Sequence, residues 1–105
     1  MTRLVRWSVE AAAEFNRAVA FLRAKDAAAA DRMLDALNET ALSLGRRNTG
    51  RPGRVPGTFE KSVPKWRYII VFEQRSAADG GEEINILHVI HTARNWPKGA
   101  WPRDE

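Results

Sequence analysis

RYIIVFEQRSAADGGEEINILHVIHT, residues 67–92, holds two apolar runs on either side of a polar gap containing Asp79-Gly80. The runs RYIIVFEQ (67–74) and EINILHVIHT (83–92) follow a period of two and read as β-strands. Asp-Gly between such runs signals a hairpin turn, so the two strands pair antiparallel. Along the first, Arg67, Ile69, Val71 and Glu73 share one face, and Tyr68, Ile70, Phe72 and Gln74 the other. Both faces are largely apolar, which predicts a central strand packed on helices on one side and covered less completely on the other. Along the second, Ile84, Ile86, His88 and Ile90 fall on one face and Asn85, Leu87, Val89 and His91 on the opposite one. The only two histidines therefore point to opposite sides, which argues against a joint metal or acid/base pair.

Upstream, TFEKSV (58–63) is a third strand candidate, and RRNTGRPGRVPG (46–57), with three glycines and two prolines, reads as a loop before it. Phe59, Lys61 and Val63 share a face, placing a cation between apolar side chains. Lys61 is read either as a snorkelling lysine or as part of a phosphate-binding surface with Arg67 and Arg94. The N-terminal part follows a helical period. Arg3–Trp7 is a short β-prone segment and Ser8 a candidate N-cap. Phe15, Val19 and Leu22 then mark an amphipathic helix to about Ala24. Asp26 is an N-cap for a second helix, whose apolar face is read as Ala30, Leu34, Leu37, Ala41 and Leu44, with Gly45 as its C-terminal cap. The short break at Lys25 makes the two an αα-hairpin. The expected fold is α+β, in the order β-α-α-β-β-β: an N-terminal strand and helical hairpin packed on a mainly antiparallel twisted sheet. One domain is expected over residues 1–105, with a core at about 3–97 and a Pro-broken tail at 98–105.

Composition narrows the chemistry. There is no cysteine, which excludes a disulfide framework, a thiolate nucleophile and a cysteine-ligated zinc, and fits a reducing compartment. With neither a cysteine nor a third histidine, no metal site or other cofactor is expected. No apolar run approaches the roughly 20 residues of a spanning helix, and the N-terminus lacks a leader's apolar region, so a cytoplasmic protein is expected. The net charge is +4, unevenly placed: residues 46–67 carry seven basic side chains (Arg46, Arg47, Arg51, Arg54, Lys61, Lys65, Arg67) against one acid, Glu60. Such a block suits a polyanion or an acidic protein partner, or is simply a solvated loop.

The ordered set VRWSVEAAAEFNRAVAFLRAKDAAAADRMLDAL, RPGRVPGTFEKSV and VPKWRYIIVFEQ…EEINILHVIHTARNWP resembles the ParE/RelE superfamily of type II toxin–antitoxin toxins over roughly residues 4–97. The resemblance implies a toxin neutralised by a cognate antitoxin whose C-terminal segment wraps it. It implies one of two targets. RelE-like members cleave mRNA on the ribosome, holding the phosphate with cations and activating the ribose 2′-hydroxyl with a base. On that reading Arg67, Arg94 and Lys61 are the cations and His91 the base. ParE-like members lack the nuclease set and poison DNA gyrase. Asn95-Trp96-Pro97 stands where a nuclease of this kind carries a C-terminal tyrosine, and an indole only donates. The ParE-like branch is therefore preferred, without hydrolytic chemistry of its own, as in plasmid-stabilising modules. A non-toxic antitoxin-binding module is a third reading. Contact candidates for target or antitoxin are Arg51, Arg54, Lys61, Lys65, Arg67, Arg94 and Trp96. His88 is expected to be a satisfied, partly buried side chain, and His91 to hydrogen-bond locally if it is not the base.

Overall fold

The computed structural model describes residues 3–94, 96, 99 and 101. Its elements are β1 (Leu4–Trp7), α1 (Val9–Arg23), α2 (Ala27–Arg46), β2 (Arg51–Pro52), β3 (Phe59–Val63), β4 (Tyr68–Ser76) and β5 (Glu82–His91), with a 3-10 turn at Pro64–Trp66. The sheet order is β1-β5-β4-β3-β2. Strands β2 to β5 pair antiparallel in sequence, and β1 adds in parallel to β5. The α+β arrangement is the expected one. The expected loop differs in one respect: Arg51 and Pro52 form a two-residue edge strand against Glu60 and Phe59.

Local chemistry sets the helix starts as the sequence suggests. The Ser8 hydroxyl accepts from the Ala11 amide and the Asp26 carboxylate from the Ala29 amide, each at 3.0 Å. Each satisfies one of the amide donors that a helix start leaves unpaired. At the β4–β5 turn Gly80 takes the left-handed conformation (φ 87°), and the Ala77 amide donates to the Gly81 carbonyl at 2.7 Å.

Two readings of α2 need correction. Leu34 is 37% exposed, and the buried stripe runs through Met33 instead, with Ala30, Leu37, Ala41 and Leu44. Gly45 is not a C-terminal cap but part of the helix, which continues to Arg46. A Cβ there would lie 2.6 Å from the Arg3 carbonyl oxygen, and the Arg3 amide donates to the Gly45 carbonyl at 2.7 Å. The glycine lets the chain entering β1 lie directly on the last turn of α2.

The histidine strand also departs from simple alternation. Val71 lies opposite His88, but Phe72 lies opposite Ile86, so Leu87 is an extra residue in β5. This β-bulge reverses the facing of everything after it. Ile84, Ile86 and Val89 all point to the helices, in one core with Ile70, Phe72 and Leu37. Asn85, His88 and Ile90 therefore share the outer face, and Ile90 forms a second cluster with Ile69 and Val71. The grouping of Ile84 and Ile86 with His88 and Ile90 is thereby overturned, while His88 and His91 still face opposite ways. Trp96 and Trp101, from the segment after β5, pack on that second cluster. Apart from Gly99, the rest of the tail lies outside the described residues.

Candidate functional site at the end of β5

The end of β5 is shaped by what happens at its outer side once β1 stops. The Ser8 amide donates to the Ile86 carbonyl (2.9 Å) and the Ser8 hydroxyl to the Leu87 carbonyl (3.0 Å). Further along, the Glu14 carboxylate of α1 accepts from the Val89 amide at 2.9 Å and sits 3.2 Å from Nδ1 of His88 through both oxygens. The carboxylate holds no proton to give, so Nδ1–H is the donor. On its other side the His88 ring lies 4.5 Å from the Trp101 ring. His88 is thus the satisfied, partly buried histidine expected, and its partners join α1, β5 and the C-terminal segment.

His91 is held differently. Its Nδ1 accepts from the Ala93 amide at 3.0 Å, and its ring meets Tyr68 edge-on at 5.1 Å. A backbone amide can only donate, so Nδ1 carries the lone pair and a neutral ring has its proton on Nε2. His91 fixes the turn after the strand, where the Arg94 amide also donates to the His91 carbonyl at 3.0 Å. Half-burial of Tyr68 pushes its hydroxyl above the usual tyrosine range.

The basic candidates are spread over several elements. Arg67 does not lie on a strand face beside Ile69 and Val71, as alternation suggested. It occupies the left-handed turn before β4 (φ 59°), and its carbonyl accepts from the Thr92 amide at 2.8 Å. A side chain leaving that turn is no longer bound to the strand's alternation. Lys65 lies in the preceding 3-10 turn, its ammonium 5.7 Å from the Trp66 ring. Lys61 does share the face of Phe59 and Val63, on the helix side, opposite Ile70 of β4. Lys61 and His91 thus have β4 between them, about 10 Å by strand spacing. His91 and Arg94 line one groove where β5 leaves the sheet, and Arg67 meets this end through its carbonyl on the Thr92 amide.

Arg51 and Arg54 serve the fold first. Glu60 is 2% exposed, and its carboxylate accepts from the Arg54 amide at 2.8 Å and meets the guanidinium groups of Arg51 (3.4 Å) and Arg54 (3.7 Å). The one acid of the basic block is therefore its internal counter-ion. Arg54 also stacks over Trp96 at 4.2 Å, and its carbonyl accepts from the Gly99 amide at 3.0 Å.

Two grooves flank this region. One, of about 400 Å3, is lined on the outer side by Glu10, Glu14, Arg17, His88, Ile90 and Trp101 among others. The second, of about 290 Å3, is lined on the helix side by Arg17, Phe21, Tyr68, Val89, His91 and Arg94 among others. Glu14, Arg17 and Trp101 were not candidates in the sequence. Glu14 and Arg17 look like ordinary polar positions of an amphipathic helix, and Glu14 meets β5 only across 74 residues of chain.

No helix of the described chain is long and apolar enough to cross a membrane. No curated protein sequence matches the chain. Among solved structures it is similar to one described as "Chromosomal ParDE TA system from P. aeruginosa", with a TM-score of 0.73 and 21% identity over 86% of this chain and 96% of that one. At that identity the likeness speaks for the fold. The family model described as "ParE toxin of type II toxin-antitoxin system, parDE" matches residues 5–96, from β1 to Trp96. The chain belongs to the ParE toxin family of type II toxin–antitoxin systems.

Proposed function

We propose that the protein is a cytoplasmic toxin that arrests growth by poisoning DNA gyrase and is neutralised by a cognate antitoxin. Family membership supports the toxin and its antitoxin. The preference for gyrase over mRNA rests on His91. A ribonuclease reading needs it as a base toward a ribose hydroxyl. Its Nδ1 lone pair is taken by the Ala93 amide, which leaves Nε2 protonated in the neutral ring and no lone pair to receive a proton. Arg67 in its turn and Arg94 beyond the strand then act as surface cations for a protein or DNA target.

The test is expression of the chain alone, with growth, DNA breaks and mRNA integrity followed together. Purified chain is added to gyrase in a supercoiling and cleavage-complex assay and, separately, to translating ribosomes. Accumulated gyrase–DNA breaks with intact mRNA are the expected result. Ribosome-dependent mRNA cuts that disappear in Arg67→Ala and His91→Ala would instead establish the nuclease. Unimpaired growth without the antitoxin would leave a binding module.

A further inference from the structure

Residues 51–67 carry five basic side chains (Arg51, Arg54, Lys61, Lys65, Arg67) and one acid, Glu60, a net +4 that equals the charge of the whole chain. Of the 17 basic and 13 acidic residues of the chain, the other 12 and 12 cancel. The sheet order puts this segment on one border: β3 and β2 are its last two strands, and the 3-10 turn follows the end of β3. Glu60 is buried and shared between Arg51 and Arg54, so it subtracts one charge without exposing an acid. Lys61, Lys65 and Arg67 form no ion pair among the described residues.

These cations flank an open strand edge. The Gly53 amide donates to the Thr58 carbonyl at 2.8 Å, so the backbone groups of Thr58 face away from β4. By alternation those of Glu60 and Ser62 do the same. Strand β2 pairs with Phe59 and Glu60 and stops short of Ser62, whose amide makes no hydrogen bond among the described residues. On the outer side Arg51 donates to the Ser62 hydroxyl oxygen at 3.5 Å, and Lys61 lies on the helix side. The hydroxyl hydrogen is left for another acceptor. An amide, a hydroxyl and cations on both sides of one edge are the donors that phosphate groups take.

The surroundings select among polyanions. An acidic protein partner needs an apolar centre to its interface, yet the exposed large hydrophobic side chains, Leu4, Val9, Phe21, Leu34 and Leu42, all lie in β1, α1 and α2. A single-stranded nucleic acid is held by stacking its bases on exposed aromatic rings, yet Phe59 and Trp66 of this segment pack against the core. A duplex needs neither, because phosphate contacts alone hold it whatever its sequence. We propose that the β2–β3 edge docks on the phosphate backbone of duplex DNA, without base readout, through Arg51, Lys61, Ser62 and Lys65. The inference rests on the preceding reading for its source of DNA, the duplex that gyrase handles.

The test is fluorescence anisotropy of the full chain with two labelled duplexes of unrelated sequence, with single-stranded RNA of equal length and with labelled polyglutamate, over a range of salt. The two duplexes should bind equally, and more tightly than the RNA or the polyglutamate. Lys61→Gln and Lys65→Gln should each reduce the slope of log affinity against log salt by about 0.9. Arg32→Gln, which removes the same charge from an exposed position on α2, should leave the slope unchanged. Circular dichroism checks that the variants fold. No duplex binding at low salt, tighter binding of RNA or polyglutamate, or an equal loss in Arg32→Gln would overturn the edge. Gyrase–DNA breaks made by a chain that binds no duplex on its own overturn the edge and leave gyrase as the target. Duplex binding with the expected slopes but no breaks upholds the edge and removes gyrase.

Discussion

Gly45 and Glu14 each join distant parts of the chain through one or two atoms. Alanine at position 45 gains about 1 kcal/mol of helix propensity. Its Cβ, however, would sit 2.6 Å from a backbone oxygen, which cannot swing aside as a side chain can. Overpacking of this kind costs about 1–3 kcal/mol, so Gly45→Ala should be net destabilising despite lying in a helix. A lowered urea midpoint with an unchanged slope is the expected record, and a raised midpoint would refute the close contact. Glu14→Ala leaves the Val89 amide and His88 Nδ1 without their acceptor. An abandoned, partly buried donor costs about 1–3 kcal/mol. Glu14→Gln keeps one carbonyl oxygen for the Val89 amide and should recover part of that loss in the same melts.

The hairpin of β4 and β5 carries two groups whose ionisation differs between folded and unfolded chain. Burial raises the Tyr68 hydroxyl, so the unfolded chain releases this proton first as pH rises past about 10. The folded chain then holds more protons, and stability falls across that window. Tyr68→Phe should flatten the alkaline side of a plot of urea midpoint against pH. At the other end of the hairpin, the hydrogen bond from Arg3 keeps the Glu82 carboxyl below the usual range. Here the folded chain binds fewer protons. This contribution is full above the ordinary carboxylate pKa and disappears as pH falls through it to the lowered value. Arg3→Ala should shrink the Glu82 part of the acid limb, leaving what the Gln74 amide contributes, and the change is small because the pair is exposed.

The same hairpin shows what was legible in the sequence. Caps at Ser8 and Asp26, the αα-hairpin and the antiparallel pairing of consecutive strands depend on nearby residues, and each reads directly, whereas the parallel docking of β1 on β5 joins residues far apart in the chain and does not. The bulge does not, because β5 is apolar at both parities: Ile84 and Ile86, then Leu87 and Val89, then Ile90. A period of two cannot show a phase change where either phase is apolar. Met33 and Leu34 pose the same ambiguity on α2, and only the fit to the sheet separates them. Of the site, the basic residues and both histidines were visible as types. Glu14 was not, because its partner is set by the packing of α1 beside β5.

Across the molecule the two faces of the sheet are covered by different means. Both helices lie on one face. On the other, Ile69, Val71 and Ile90 are 4%, 0% and 3% exposed and pack against Trp96 and Trp101. Of the segment after β5, Trp96 and Gly99 meet the loop before β3 and Trp101 meets β5. The segment is held by Trp101 against His88, Arg54 over Trp96, and the Gly99 amide on the Arg54 carbonyl. Both rings also pack on Ile69, Val71 and Ile90, so the cover contributes through apolar area. Each tryptophan remains partly exposed, and losing its ring should cost about 1–2 kcal/mol, below the value for a fully buried side chain. The rings stack on one another with centroids 6.4 Å apart, so the two losses should not add independently. Urea melts of Trp96→Ala, Trp101→Ala and the double variant measure the coupling. A fluorescent apolar dye should bind the double variant and not the parent, because removing both rings uncovers the Ile69–Val71–Ile90 cluster to water. Unchanged midpoints together with no dye binding would mean that the segment contributes nothing to the cover. In that case the burial of the cluster would have to come from the sheet alone, which a single layer of strands cannot supply on its outer face.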